Sequence, residues 1–548
     1  MNATNIANGI ADCLPLAATP GLSRLFQDFC SGGEAAQALR AFLPLPNEER
    51  VRPPLPAHWP ELVGLLAAQN ASKIETPNAS GNAPAQAALR ALAQGAGAVV
   101  TGQQVGLFGG PLFTPFKAAT AIARAGKATA AGHPHVAIFW LASEDHDFAE
   151  VNHVTLPGRE MKELVYASAP DAARPAGGIA FDDSIVALAN QVRDLSGSAA
   201  RLVEEYRPGR TFAQAFAHFY ATAFAAQGLL VLDASGRDFH RLGAPVLRAA
   251  LERADELHAA LLERNRALEA AGYQVQVAVA PQSSLLFLLD VETGARQALK
   301  RTPPTATEPR GLWHAGTETF STADLLGILA SEPERISPSA LLRPVFQDFL
   351  LGTSVQVAGP AEIAYLAQSA VLFERILGAQ TPPAARLSAT LIEPHVGELL
   401  RKHALSLEQV FSEDAASLAR SLAARSMPPE TRNKLETTAQ ALDAELAALV
   451  AWLQSQDKGL GQSAETAASK IQYQMNRLRT LAANFQLQRE ATLTRHAETL
   501  AAALFPGGVL QERVHGAAYY FARYGLELAE ALCVQAADDC PGHKAIWL

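Results

Sequence analysis

The chain has 548 residues, of which 49% are hydrophobic and 18% charged, with a formal net charge of −9. That length exceeds one ordinary core and calls for three or four packed units, while the acidic balance and the lack of a Lys/Arg cluster exclude a nucleic-acid partner, whose phosphates demand a basic face. No run of about eighteen apolar residues occurs, which excludes a membrane-spanning helix, and residues 1–5 show no leader pattern, so the expected location is cytoplasmic.

Cys13, Cys30, Cys533 and Cys540 lie near the two ends without CxxC spacing. The expectation is reduced, structural thiols and no cysteine-ligated zinc site.

Residues 1–85 form a lead-in packed on the core. Leu22, Leu25, Phe26 and Phe29 recur at helical steps, and prolines cluster at Pro53, Pro54 and Pro56. From residue 86 an alanine-rich helix leads into an apolar run at 98–100 that discharges into Thr101, Gly102, Gln103 and Gln104. Gly106, Gly109 and Gly110 follow, then a helix from Thr114 that carries Lys117. A second apolar strand at 138–142 runs into Ser143, Glu144, Asp145, His146 and Asp147, with Asn152 and His153 just beyond.

Strand, helix, strand is a parallel crossover. In an open α/β sheet ligands bind where strands end at their carboxyl edges, so the two polar ends define one candidate crevice. The glycine spacing matches neither GxGxxG nor GxxxxGK[ST], which leaves two readings for it: amides that approach an anion, or a tight structural turn. The acidic cluster offers acid/base groups, part of a divalent-metal site, or helix caps.

Phe212, Phe216, Phe219, Tyr220 and Phe224 recur at helical spacing before a further strand at 229–232. This stripe reads as core, and Asp233 and Ser235 at the strand's end are additional site candidates. Residues 156–205 and 250–340 read as inserted elements, with short strands expected at 272–277 and 284–289. Gly359 precedes a helix in which Glu362 either favours the dipole or faces substrate. In 411–504, Leu435, Leu442, Leu446, Leu449 and Leu453, then Ile471, Met475, Leu478, Ala482 and Phe485 after Gly459 and Gly461, describe an antiparallel coiled-coil hairpin, either an intrachain arm or a dimer seam. Residues 505–548 return to the core.

The stretch from Thr101-Gly102-Gln103-Gln104 to Pro111-Leu112-Phe113-Thr114, followed by Phe139-Trp140-Leu141-Ala142-Ser143-Glu144-Asp145-His146-Asp147 and Val151-Asn152-His153, closely resembles the bacillithiol biosynthesis family of cysteine-adding enzymes. Leu341-Leu342-Arg343-Pro344, Gly359-Pro360-Ala361-Glu362-Ile363-Ala364-Tyr365, Leu510-Gln511-Glu512-Arg513 and His543-Lys544 extend the resemblance over most of the chain. It implies an α/β protein with a Rossmann-like parallel-sheet core in 86–155, 206–249 and 341–410, connecting insertions, and a coiled coil that forms a homodimer. The implied activity is that of a ligase adding cysteine to the glucosamine amine of glucosaminyl malate, with ATP as co-substrate and magnesium as its candidate ion.

On that resemblance Asp145, His146, Asp147, Gln103 and Gln104 are expected to be catalytic. Thr101, Gly102, Gly106, Lys117, Ser143, Glu144, Asn152, Gly359 and Glu362 are expected to bind substrate, and His543 and Lys544 a nucleotide. Two other functions stay open: a nucleotidyltransferase-like enzyme activating another carboxylate, and a non-catalytic nucleotide-binding dimer.

Overall fold

The computed structural model describes residues 11–44, 55–71, 83–158, 161–302, 311–538 and 540–548. Residues 1–5 and the prolines Pro53 and Pro54 fall outside these.

The central sheet is all parallel. Its strands lie in the spatial order Pro383–Ala385, Thr353–Ala358, Gly97–Gln104, His135–Ala142 and Leu230–Asp233. Side chains alternate between its two faces with period two. Ala98, Val100, Ile138, Trp140, Leu230 and Leu232 enter one buried cluster, whereas Val99, Phe139, Leu141, Val231 and Val357 enter another on the opposite face. Both faces are covered, so the strands are apolar almost throughout. The aromatic stripe is core: Thr211 and Gln214 form a capping box that starts the helix Phe212–Ala223, and the Tyr220 ring stacks 4.7 Å from Phe139.

A five-stranded antiparallel sheet is inserted after Leu230–Asp233, in the order Glu318–Phe320, Leu312–Ala315, Arg296–Thr302, Ser283–Leu289 and Ile336–Pro338. Ser283–Leu289 realises the strand expected at 284–289, but 272–277 is not a strand. Gly272, at φ +81°, turns the chain out of the helix Ala254–Ala270. The N–H groups of Gln276 and Val277 then donate to Oε1 of Gln368, at 3.1 and 2.9 Å, and not to a neighbouring strand.

Ala389–Ile392 leaves the central sheet and joins His543–Trp547 and Ala11–Leu14 in a three-stranded sheet that ties the N-terminal strand to the C-terminal one. Here the expectation of four reduced cysteines is corrected. Cys13 of the N-terminal strand and Cys540, just before the C-terminal strand, form a disulfide, because antiparallel pairing of the two strands brings residues 527 positions apart within 5.9 Å at Cα. Cys30 and Cys533 are free thiols, and burial pushes both up to about 12.

The hairpin consists of Pro429–Gln456 and Lys458–Arg489. Its turn is the single residue Asp457, whose side chain caps the second helix at Leu460 N–H; Gly459 and Gly461 lie inside that helix's first turns. Leu446 and Met475 are buried in the seam as expected, together with Ala439, whereas Ala483 is buried at the hairpin's base in a cluster with Leu418 and Leu422. Leu449, Ile471, Leu478 and Phe485 instead face outward, forming with Trp452 and Leu481 an exposed apolar stripe. No helix among the described residues is long and apolar enough to cross a membrane.

Candidate functional site

Numbered along the chain, the central strands lie in the order 5-4-1-2-3, so the connections diverge between Gly97–Gln104 and Thr353–Ala358. This is the topological switch point, where an open sheet leaves a crevice beyond its carboxyl ends. A cleft of 320 Å³ occupies that place. The loops after these two strands and after His135–Ala142 floor it, and the antiparallel insertion roofs it with Arg296 and Pro338.

One wall is cationic. Lys117, in the first turns of the helix Phe113–Ala130, is 3% exposed. Its Nζ lies 2.5 Å from Oε2 of Glu362 and donates to Gly102 O at 2.9 Å and Gln103 Oε1 at 2.8 Å. Burial pulls the Lys117 pKa down, and Glu362 pulls against that shift. The same Glu362 oxygen accepts the Gly359 N–H at 2.8 Å, which closes the first turn of Pro360–Leu377. Lys117 and Glu362 thus clip together the two strand ends that flank the switch point.

Arg343 donates to the Tyr365 hydroxyl at 3.0 Å. Arg296 donates to Ser337 Oγ and Pro338 O, and its guanidinium lies 3.8 Å from the centre of the Phe287 ring. Arg386 is ion-paired with Glu512 at 2.6 Å, both members buried, while its Nε has no hydrogen-bond partner and faces the place a Cβ on Gly359 would occupy, 3.3 Å away. An orphaned cationic N–H beside a helix N-terminus fits an anionic group there.

The other wall is acidic. Gln104 Nε2 donates to Asp145 Oδ2 at 2.8 Å and Glu150 Oε2 at 2.7 Å. Burial acts to raise the Asp145 carboxyl, but the hydrogen bonds from Gln104 and the Asp147 N–H, with Arg296 and Arg343 nearby, hold it below the usual carboxylate range. Glu144 lines the cleft with one oxygen 2.9 Å from Nε2 of the buried His240.

Of the residues expected from the sequence, Gly102, Gln103, Gln104, Lys117, Glu144, Asp145, Gly359 and Glu362 converge on the cleft. The others stand outside its lining. Thr101 Oγ1 ties its strand to Val357 O at 3.0 Å, and the carbonyl of Gly106 accepts the Tyr206 hydroxyl. Ser143 Oγ donates to Asp233 Oδ1 at 2.6 Å, and Asp233 also accepts from Ser235. Asp147 caps the short helix Phe148–Val151; Asn152 donates to Tyr166 O, and His153 lies exposed against Ala149 O.

His146 sits beside the cleft with Nδ1 3.3 Å from Arg296 Nη1. Burial and the Arg296 charge lower its pKa, so the ring is neutral near pH 7, accepts at Nδ1 and carries its proton on Nε2.

Sequence reasoning did not assign Arg296, Arg343, Tyr365, Arg386 or Arg513 to the site, although all line it. Arg343, Tyr365 and Arg513 stood inside blocks that carried the family resemblance. Arg296 sits in an alternating strand of the insertion, with no local signal.

A second cavity of 570 Å³ lies on the other side of Arg386 and is lined by Ser388, Asp538, His543 and Lys544. The His543 ring bridges Ser388 Oγ and Thr390 Oγ1, each at 2.8 Å, and Lys544 Nζ binds Gln535 O and Asp538. Among the described residues no group of three or more His, Cys, Asp or Glu side chains could hold a metal ion.

A cleft with opposed cationic and acidic walls can hold a zwitterion or a multiply charged anion and steady negative charge developing at an acyl centre. A family model described as "Bacillithiol biosynthesis BshC, N-terminal Rossmann-like domain" matches residues 24–385, and one described as "Bacillithiol biosynthesis BshC, C-terminal coiled-coil domain" matches 389–545. A protein of Koribacter versatilis named "Putative cysteine ligase BshC" is 39% identical over 98% of this chain and 99% of its own. Proteins of the same name from Solibacter usitatus and Salinibacter ruber are 34% and 31% identical, over 84% and 82% of this chain and 87% and 82% of theirs. The Rossmann-like core, the coiled-coil hairpin and these full-length similarities together show that the chain belongs to the BshC family of bacillithiol biosynthesis.

Proposed function

We propose that the chain is a ligase that joins the carboxyl of cysteine to the glucosamine amine of glucosaminyl malate, giving bacillithiol. The observation that carries the reading is the two-walled cleft at the switch point. Cysteine is a zwitterion and glucosaminyl malate bears an amine and two carboxylates, so both substrates need opposed charges within one small volume.

A free carboxylate does not acylate an amine in water, so the cysteine carboxylate must first attack ATP, either at the α-phosphorus to give an acyl-adenylate with loss of pyrophosphate or at the γ-phosphorus to give an acyl-phosphate with loss of ADP. The amine then attacks the acyl carbon, the amide bond forms, AMP or phosphate leaves, and the amine gives up a proton. Lys117 and the Arg343, Arg386 and Arg513 guanidiniums supply positive charge for carboxylate and phosphate oxygens. Gln103 and Gln104 hold the strand end at the acyl centre, Asp145 orients the acceptor amine, and neutral His146 at the rim is the proton acceptor through Nδ1 once that atom releases the Arg296 N–H. Asp147 acts through Asp145 by fixing its carboxylate with a backbone N–H at 3.2 Å.

Magnesium would enter with the nucleotide's phosphates. The neighbouring cavity, which shares Arg386 with the cleft, is the candidate second nucleotide contact, and His543 and Lys544 shape its wall while their nitrogens stay bound to Ser388, Thr390, Gln535 and Asp538. The hairpin's outward stripe supports a homodimer, since a row of exposed large apolar side chains is stable when a second copy covers it. The protein acts in the cytoplasm on this reading.

The test is to incubate the purified protein with cysteine, glucosaminyl malate, ATP and magnesium and follow products by mass spectrometry. Bacillithiol with matching AMP or ADP is expected; hydrolysed nucleotide without bacillithiol contradicts the reading.

A further inference from the structure

Four carboxylates line the cleft, and three of them accept hydrogen bonds from the protein. Asp145 accepts from Gln104 and the Asp147 N–H, Glu150 accepts from Gln104, and Glu362 is shared between Lys117 and the Gly359 N–H. Glu144 is different. One of its oxygens lies 2.9 Å from His240 Nε2, and the other accepts no hydrogen bond among the described residues although the side chain is 19% exposed to the cleft.

His240 belongs to the helix Arg237–Glu252 and is 0% exposed. Its Nδ1 lies 2.9 Å from Ile336 O and donates to it, and its ring lies 5.5 Å from Phe346. With Nδ1 so used, Nε2 meets the carboxylate in an ion pair that is not aligned as a hydrogen bond. Burial favours the neutral ring, but Glu144 and the Ile336 and Pro333 carbonyls outweigh it and raise the His240 pKa. Because Nδ1 donates to a carbonyl, Nε2 must carry a proton to face an ionised Glu144 at 2.9 Å, so the buried ring fixes one oxygen of a carboxylate that lines the cleft.

We propose that His240 is the positioning residue for Glu144, and that Glu144 is the group that binds the α-ammonium of the amino-acid substrate. The inference rests on the ligase reading and deepens it: it assigns the amine contact that distinguishes an amino acid from a simple carboxylic acid. A second cation cannot dislodge His240, which is fully buried and held by Ile336 O, so the substrate ammonium meets a fixed, half-satisfied carboxylate.

The experiment titrates cysteine and 3-mercaptopropionate, which is cysteine without its ammonium, calorimetrically into the full chain and into H240Q, with melting curves alongside. The intact protein is expected to bind cysteine at least about tenfold more tightly than 3-mercaptopropionate, the factor expected of one charge-assisted hydrogen bond. In H240Q that preference collapses to within about threefold while 3-mercaptopropionate binds as before. Parallel weakening of both ligands would mean a merely structural histidine and would overturn the proposal, as would a preference retained in H240Q. E144Q repeats the comparison at the exposed member of the pair should H240Q fail to fold, and a retained preference there overturns it equally. If the intact protein binds neither thiol, the ligase reading itself fails, and this inference with it.

Discussion

Replacing Lys117 by methionine removes the clip across the switch point while keeping most of the side chain's volume. The ammonium has three protein partners within 2.9 Å: Glu362, Gly102 O and Gln103 Oε1. Removing one member of a buried ion pair costs about 3–5 kcal/mol, because the remaining charge stays desolvated. Glu362 keeps its Gly359 N–H and its side chain is 19% exposed, so the lower end, about 3 kcal/mol, applies. That is about a hundredfold in an equilibrium constant.

The loss is local, so a single melting temperature for so large a chain is a poor reporter. Hydrogen exchange over residues 97–106 and 359–366 is the assay, with bacillithiol formation measured in parallel. K117M is expected to speed exchange in both segments and to lower kcat/KM by about a hundredfold or more, and the double variant with E362Q to recover part of the protection. Exchange unchanged in both segments, with kcat/KM within about threefold of the parent, would refute the reasoning.

Three further outcomes are expected. His515 and His543 are 0% exposed and burial pushes each down to about 4, against about 6.5 when unfolded. The unfolded chain therefore binds more protons between these values, and stability present above pH 6.5 is lost as pH falls toward 4, by about 3 kcal/mol per ring; urea midpoints that do not move from pH 7 to pH 4.5 would contradict this. Alkylation of the denatured, unreduced protein should add two groups, on Cys30 and Cys533, and four only after reduction; four without reductant would show that Cys13 and Cys540 are not joined. Charge placed on the outward stripe by L478E with F485E is expected to turn a dimer into a monomer in sedimentation while the helix content stays constant, and an unchanged sedimentation coefficient would remove the stripe from the interface.

The strand ends of the site were legible because an apolar run that stops at Thr101 or Ser143 marks the carboxyl edge of a parallel sheet, whereas Lys117 and Glu362 were expected to bind substrate only through the family resemblance. Chain order gave less. The switch point pairs strands about 250 residues apart, and nothing local says that Gly359 stands beside Gly102. Arg296 arrives from an inserted sheet, and His240 from a helix face that reads as core. The segment 272–277 has strand composition, but its N–H groups go to the side chain of Gln368, a long-range partner no propensity encodes. Heptad spacing located the hairpin but could not say which of its apolar rows faces inward, since both Leu446 and Leu449 fit the repeat and only Leu446 is buried. Cys13 and Cys540 looked unpaired because their pairing is set by the closing of the chain ends into one sheet.

The measurement that bears most directly on the central claim uses cysteine labelled with ¹⁸O in its carboxyl group, together with glucosaminyl malate and ATP-magnesium. On the proposed route one labelled oxygen leaves with AMP or phosphate for every bacillithiol formed. Label absent from both, or no bacillithiol at all, would contradict the account.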